Sequence, residues 1–190
     1  MNKIIVSFFT LVIAIAAHAQ QQTEHVVIVT LDGFRWQELF KGADSVILNN
    51  SRYTENSKGM KERYWAASID ERRKKLLPFF WNTIAAQGQL YGNRSFGNYV
   101  NNANPYWFSY PGYNEIFTGF PDTAVNSNNK KWNKNENVLE FINKQKGFEG
   151  KVAAFTSWDV FPYILNEERS KLYVNSATEA VSLAIKERLV

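Results

Sequence analysis

Residues 25–31, His-Val-Val-Ile-Val-Thr-Leu, form a nearly unbroken apolar, β-branched run that stops at Asp32-Gly33. Branching at Cβ suits a pleated strand, and a strand without polar alternation has two faces to bury. The run therefore predicts a central parallel strand with Asp32 at its carboxyl end. Parallel neighbours can only be joined by a crossover, as a rule a helix. The downstream pattern supplies helices and strands in alternation. Ser68-Ile-Asp-Glu71 has the spacing of a capping box and predicts a helix start. Pro78 either kinks that helix or opens a second one, which runs through Phe79, Phe80, Trp81 and Ile84 to Gly88. A short strand is expected over residues 89–95. A helix from Val138 through Ile142, ending near Gly147, precedes a buried strand over residues 151–156, and an amphipathic helix is expected over residues 177–189. The predicted fold class is α/β, a doubly wound and mostly parallel sheet flanked by helices. No internal repeat interrupts it.

The first residues describe a different kind of segment. Met1, Asn2 and Lys3 precede an apolar stretch broken only by Ser7 and Thr10, which ends at Ala17-His18-Ala19. A basic tip, a short apolar stretch and small residues two apart are the marks of a secretory signal peptide, with cleavage expected after Ala19. A retained anchor needs about 20 apolar residues, more than this run offers. Residues 1–19 are thus assigned to the leader and residues 20–190 to the mature domain. The mature protein is expected to be exported, periplasmic or secreted, without a membrane span. Cysteine is absent, so core burial rather than disulfides must hold the fold. Hydrophobic residues make up 45% of the chain and aromatic ones 15%, enough to build that core. The leader takes Lys3 and no acid with it, so the formal charge drops from +4 to +3. That balance is too weakly basic to indicate a nucleic-acid partner.

Three stretches break the pattern. Residues 42–67 turn polar, without a sustained period, and read as an excursion over the surface. Residues 98–104 are an Asn-rich loop. Residues 126–137 are a second such loop, in which Lys130, Lys131 and Lys134 surround Trp132. Basic residues with an interleaved aromatic can contact nucleic acid or a protein partner, but the composition fits a plain surface loop better. Arg72, Arg73, Lys74 and Lys75 read in the same way as a solvated helix face.

Two features carry chemistry. In an open α/β sheet, ligands gather beyond the carboxyl ends of the strands. Asp32 is placed there, where a carboxylate can coordinate a divalent cation or cap the next helix, and Gly33 lets the backbone turn beside it. The second feature is Phe108-Ser-Tyr-Pro-Gly-Tyr-Asn-Glu-Ile-Phe-Thr-Gly119. A hydroxyl just before a helix lies at its positive end, where backbone N–H groups favour anionic oxygens. Ser109 is therefore a candidate nucleophile, or alternatively a helix N-cap. A serine hydroxyl needs a base or a metal to react at neutral pH. The mature chain holds a single histidine, His25, at the other end of the predicted strand from Asp32. A Ser-His-Asp triad is not expected, and metal activation is.

Together these segments resemble the alkaline phosphatase superfamily. Val-Thr-Leu-Asp-Gly-Phe-Arg, residues 29–35, is similar to the opening strand and first metal-binding Asp of its type I phosphodiesterase and nucleotide pyrophosphatase branch. In that branch an aromatic and a Pro follow the nucleophile, and Thr-Gly stands nine and ten positions on. Ser109, Tyr110, Pro111, Thr118 and Gly119 match. Ser109, Gly112, Ile116 and Gly119 also match the pattern of the cofactor-independent phosphoglycerate mutases. The resemblance runs from about Val26 to Val174 in order of elements, and it makes residues 20–190 the N-terminal part of such a hydrolase domain. It implies two divalent metal ions, as a rule zinc, with Asp32 and Ser109 among their ligands. It also implies a small-molecule phosphoester substrate and a covalent seryl intermediate on Ser109.

Where the phosphodiesterase branch has an Asn three residues after the nucleophile, this chain has Gly112, and Asn114 is the candidate replacement for binding a phosphate oxygen. The dedicated sulfatases have an Arg four residues after theirs, where Tyr113 stands here, so phosphate is favoured over sulfate esters. The remaining ligands of the family lie in a C-terminal half, expected beyond Val190, because the chain stops inside a helical pattern without a terminal signal. This chain alone is expected to hydrolyse phosphoesters poorly or not at all. The alternative is a non-catalytic exported binding protein on the same scaffold, stacking a sugar or base on Tyr106, Trp107, Phe108 and Tyr110.

Overall fold

The computed structural model describes residues 23–178 and 180, in two units divided after Gly33. The leader assigned to residues 1–19 lies outside the described residues, as does most of the helix expected over 177–189.

In the first unit, residues 23–31 have no regular secondary structure, and a turn at Asp32-Gly33 comes next, with Gly33 at φ +69°. The predicted central strand is not formed. Val27 is 83% exposed and Val29 77% exposed. β-propensity records a fit to a half-buried pleated surface, and among the described residues no strand pairs with this run to create one.

The second unit, from Phe34 onward, opens with short helices: α1 (Trp36–Lys41), α2 (Ser45–Asn49), α3 (Ser57–Tyr64) and α4 (Ile69–Leu76). Side-chain caps start three of them. Asp44 accepts from the Val46 N–H, Asn56 from the Gly59 N–H and Ser68 from the Glu71 N–H, each satisfying a donor that a helix start leaves open. The expected capping box is present in a modified form, because the Glu71 carboxylate accepts from the Ser68 hydroxyl at 2.8 Å. α1 ends at Gly42, φ +75°, where a Cβ would come within 2.5 Å of the Arg72 and Arg73 backbone. Only glycine lets α1 end directly on α4.

Beyond Pro78 the chain continues as a π-helical turn, Phe80–Ile84, and α5 (Ala85–Gln87). Trp81 packs edge-on to Phe40 and donates through Nε1 to the Leu39 carbonyl at 3.0 Å. The basic run is not a freely solvated face. Arg73 stacks on Trp81, Arg72 stacks on Trp65 and donates to the Lys41 carbonyl, Lys74 pairs with Asp70, and Lys75 donates to the Trp65 carbonyl. Residues 89–95 form no strand, and the segment closes in a 3-10 turn, Arg94–Phe96.

The larger core lies further on. α6 (Ser109–Thr118) packs with α7 (Val138–Asn143), β1 (Ala153–Thr156), α8 (Phe161–Ile164), α9 (Glu167–Ser170) and β2 (Tyr173–Ser176). β1 and β2 pair in parallel with Ala153 opposite Tyr173, and the connection between them carries α8 and α9. The fold class is thus mixed α/β with a small two-stranded parallel sheet. β1 begins within the predicted strand but is only partly covered, with Phe155 half exposed. The buried centre is Tyr110, Tyr113 and Phe117 of α6 against Val160, Phe161, Ile164, Leu165, Leu172 and Val174.

The second Asn-rich loop is not a plain surface loop. Asn133 and Asn137 are buried, and Trp132 packs on Tyr163 with ring centroids 4.5 Å apart. Arg169 donates to the carbonyls of Asn133, Lys134 and Asn135, and grips the fully buried Glu140 carboxylate at 2.9 and 2.7 Å. Side-chain amides and one guanidinium thus replace secondary structure in satisfying this backbone. Among the described residues no helix is long and apolar enough to cross a membrane.

Candidate functional site

Ser109 is the first residue of α6. The N-cap is Phe108, in extended conformation and without a capping side chain, so Ser109 does not serve as the cap. Ser109 is half-buried, and among the described residues no hydrogen bond engages its hydroxyl. The next residue, Tyr110, holds it still. Tyr110 is 3% exposed, with its hydroxyl 2.7 Å from the Lys131 carbonyl and 3.0 Å from that of Tyr163. Burial pushes the Tyr110 phenol well above its ordinary ionisation range, so this neighbour is an anchor and not a base. At the other end Gly119, φ +80°, closes the helix in the left-handed region, and Thr118 donates back to the Asn114 carbonyl.

The donors at this helix start are fewer than its length suggests. The Tyr110 N–H already donates to Asn128 Oδ1 at 3.0 Å, and Pro111 has no N–H. An anionic oxygen arriving beside Ser109 finds little free backbone to bind.

Asn114 lies on the same helix, but buried at 1% exposure. Its Oδ1 accepts from Asn133 Nδ2 at 3.0 Å and from Asn135 Nδ2 at 3.1 Å, and its own Nδ2 lies 3.5 Å from the Phe120 carbonyl. The amide read from the sequence as a phosphate-oxygen ligand is turned into the protein and joins α6 to the 126–137 loop. Asp32, the candidate metal ligand, belongs to the first unit and stands exposed in its turn. Among the described residues no group of three or more His, Cys, Asp or Glu side chains gathers to hold a metal ion.

Two residues that the sequence did not single out shape the site. Glu115 accepts from the Ala103 N–H at 2.5 Å and from the Asn104 N–H and Nδ2, both at 2.9 Å, fixing the first Asn-rich loop to α6. Desolvation pushes its carboxyl up, but these donors together outweigh it, and the carboxyl is held below its ordinary range. Asn128 supplies the external cap. Their sequence signal is thin: one acid on an apolar helix and one Asn among many. No family model, curated protein or solved structure matches this chain.

Proposed function

We propose that this chain contributes the nucleophile of a metal-dependent phosphoester hydrolase of the alkaline phosphatase superfamily, on a doubly wound α/β scaffold, exported after loss of its leader. The observation that carries the reading is the Ser109 hydroxyl: unengaged, at the start of a helix whose next residue is locked by its hydroxyl and its N–H. The Ser109 Oγ attacks phosphorus, the Oγ–P bond forms as the bond to the leaving alkoxide breaks, and the leaving oxygen takes up a proton. Water then breaks the Oγ–P bond, releasing phosphate or its monoester and restoring the hydroxyl.

Magnitudes show what these residues contribute. A helix start stabilises a nearby negative charge by about 0.3–1 kcal/mol, whereas enzymes lower their barriers by about 8 kcal/mol or more. Ser109 is thus oriented here but not ionised by its own helix. The two divalent ions proposed for the site would polarise the hydroxyl and the phosphoryl oxygens. Asp32 and Ser109 do not make a metal-pair site by themselves.

Ser109→Ala in the protein expressed from its native gene should abolish the acid-stable phosphoryl adduct and lower kcat on bis(4-nitrophenyl) phosphate by several orders of magnitude. Ser109→Thr should retain part of the turnover. Full activity in Ser109→Ala would leave water or another residue as the nucleophile.

One observation favours a second reading, a non-catalytic ligand-binding protein: Trp107 is 99% exposed and Phe108 about half exposed. Tyr110 is buried, and the Tyr106 hydroxyl donates to the Thr123 carbonyl at 3.0 Å, so this face reduces to Trp107 and Phe108. Stacking of a base or sugar would quench Trp107 fluorescence. A saturable quench that is lost in Trp107→Leu, in a protein that never forms the Ser109 adduct, would favour the binding protein.

A further inference from the structure

We propose that residues 91–108 bind a neutral glycan chain, stacking its sugar rings on Tyr91, Phe96, Tyr99 and Trp107 and hydrogen-bonding its oxygens through side-chain amides. The proposal rests on the stacking reading of Trp107, names its ligand, and is independent of Ser109.

The loop that carries the first three rings is held in shape by its own contacts. Its limbs meet where the Gly92 N–H donates to the Asn98 side-chain oxygen, and a Cβ on Gly92 would lie 3.6 Å from Val100. Tyr91 and Tyr99 flank that contact, and each is more than half exposed. Phe96 stands at the tip, in the 3-10 turn, and is 85% exposed. Arg94 donates to Asn101 at 2.6 Å and lies over the rings of Tyr99 and Trp36, 5.8 and 5.9 Å from their centroids. Beyond the loop, Glu115 holds Ala103 and Asn104 to α6, whose N-cap follows Trp107. Rings presented on a fixed backbone lose little freedom when a ligand arrives.

The polar groups among the rings set the class of ligand. Asn93, Asn98 and Asn101 each hold the loop through the side-chain oxygen, which accepts from the Ser95 N–H, the Gly92 N–H and Arg94 in turn. Among the described residues nothing accepts a hydrogen bond from their NH2 groups. Neutral donors are thus left for a ligand rich in acceptor oxygens. Charge narrows the choice. From Gln89 to Phe108 there is no acidic residue and a single cation, Arg94, already engaged by Asn101. A polynucleotide needs cations to neutralise its phosphates, and an anionic membrane surface needs a cluster of them. A neutral glycan needs none: the C–H faces of its rings lie on aromatic side chains, and its hydroxyl and ring oxygens accept from amides.

The test is calorimetric titration of the purified protein with cellohexaose, with maltohexaose and, as the competing class, with a short oligothymidylate. Trp107 fluorescence, the signal lost in Trp107→Leu, is followed in parallel. At least one hexasaccharide should bind, quench Trp107 and keep its affinity at high salt. The corresponding disaccharide should bind about tenfold more weakly or worse, because separate rings engage successive sugars. Phe96→Ala should weaken binding about tenfold. Asn101→Asp keeps an oxygen for Arg94 but loses the free donor, and should cost about fivefold, the value of one hydrogen bond. Both positions are exposed, so urea unfolding of either variant should match the unaltered protein. Quenching by the oligothymidylate alone would keep the stacking reading and overturn the glycan. Hexasaccharide binding that ignores both variants would confine the site to Trp107 and overturn the role of the loop. If none of the three probes quenches Trp107, the proposal and the stacking reading beneath it both fail.

Discussion

Glu140 is a carboxylate shared between two cations, Arg169 and Lys144. It is fully buried, bonded in two places by Arg169 and in a third by Lys144 at 2.8 Å. The Arg169 hydrogen bonds, opposed by desolvation and aided by Lys144, hold its carboxyl below the ordinary 4.5. Linkage sets the sign. A carboxyl whose folded pKa is depressed stabilises the protein fully above its unfolded pKa, and that contribution disappears as pH falls through the folded value. Arg169→Ala should cost about 3 kcal/mol at neutral pH, the low end for breaking a buried pair, since Arg169 keeps 37% of its side chain in water. Urea unfolding from pH 7 downward should show the gap between wild type and variant constant above about pH 4.5 and closing below it. A gap that persists undiminished into acid would mean that Arg169 stabilises mainly through the three carbonyls it covers. The sequence alone does not reveal this pair, because an Arg and a Glu 29 residues apart carry no pairing signal in a single chain.

Elements whose cause is local are legible in the sequence. The helix starts at Ser68 and near Val138 lie where expected, because a cap bonds the next turn and needs no distant partner: Ser68 takes the Glu71 N–H and Asn137 takes that of Glu140. The strands expected at residues 25–31 and 89–95 are absent, because a strand exists only through pairing, which composition does not encode. The Asn-rich loop at 126–137 misleads for the opposite reason: amides that look like surface polarity satisfy buried carbonyls instead. At the site, Ser109 stands at a helix start as its sequence context implies, but Asn114 points inward, since helical phase cannot tell which neighbour a buried amide meets. The tightest element contact is at Gly42. Gly42→Ala would face both a backbone conformation reserved for glycine and a 2.5 Å approach to the Arg72 carbonyl carbon. It should destabilise the α1–α4 packing by about 2 kcal/mol or more. Amide exchange should then accelerate throughout α1 and α4 while α6 to β2 keep their protection. Equal acceleration everywhere would mean that the two cores unfold as one.

At the scale of the whole molecule, the first unit carries a liability. Its apolar run has every property of an association-prone segment: β-branched, uncharged from Val26 to Leu31, free of proline and exposed, with Val26 at 76% and Leu31 at 66%. A segment that pairs with no strand among the described residues presents N–H and C=O groups to any copy that approaches. The same run has the composition of a strand at the centre of a sheet, so its exposure and its β-propensity have one origin. Val27→Lys with Val29→Lys puts two charges where self-pairing needs dry contact. The double variant should remain monomeric at concentrations where the unaltered chain associates, as measured by sedimentation velocity across a dilution series. Its stability from urea unfolding should stay within about 0.5 kcal/mol of the original, because neither side chain is buried. Two other results are possible and each is informative. Unchanged association would move the sticky surface to the exposed aromatics around Trp107. A large loss of stability would show that the run is already paired in solution, in the central place its composition predicts.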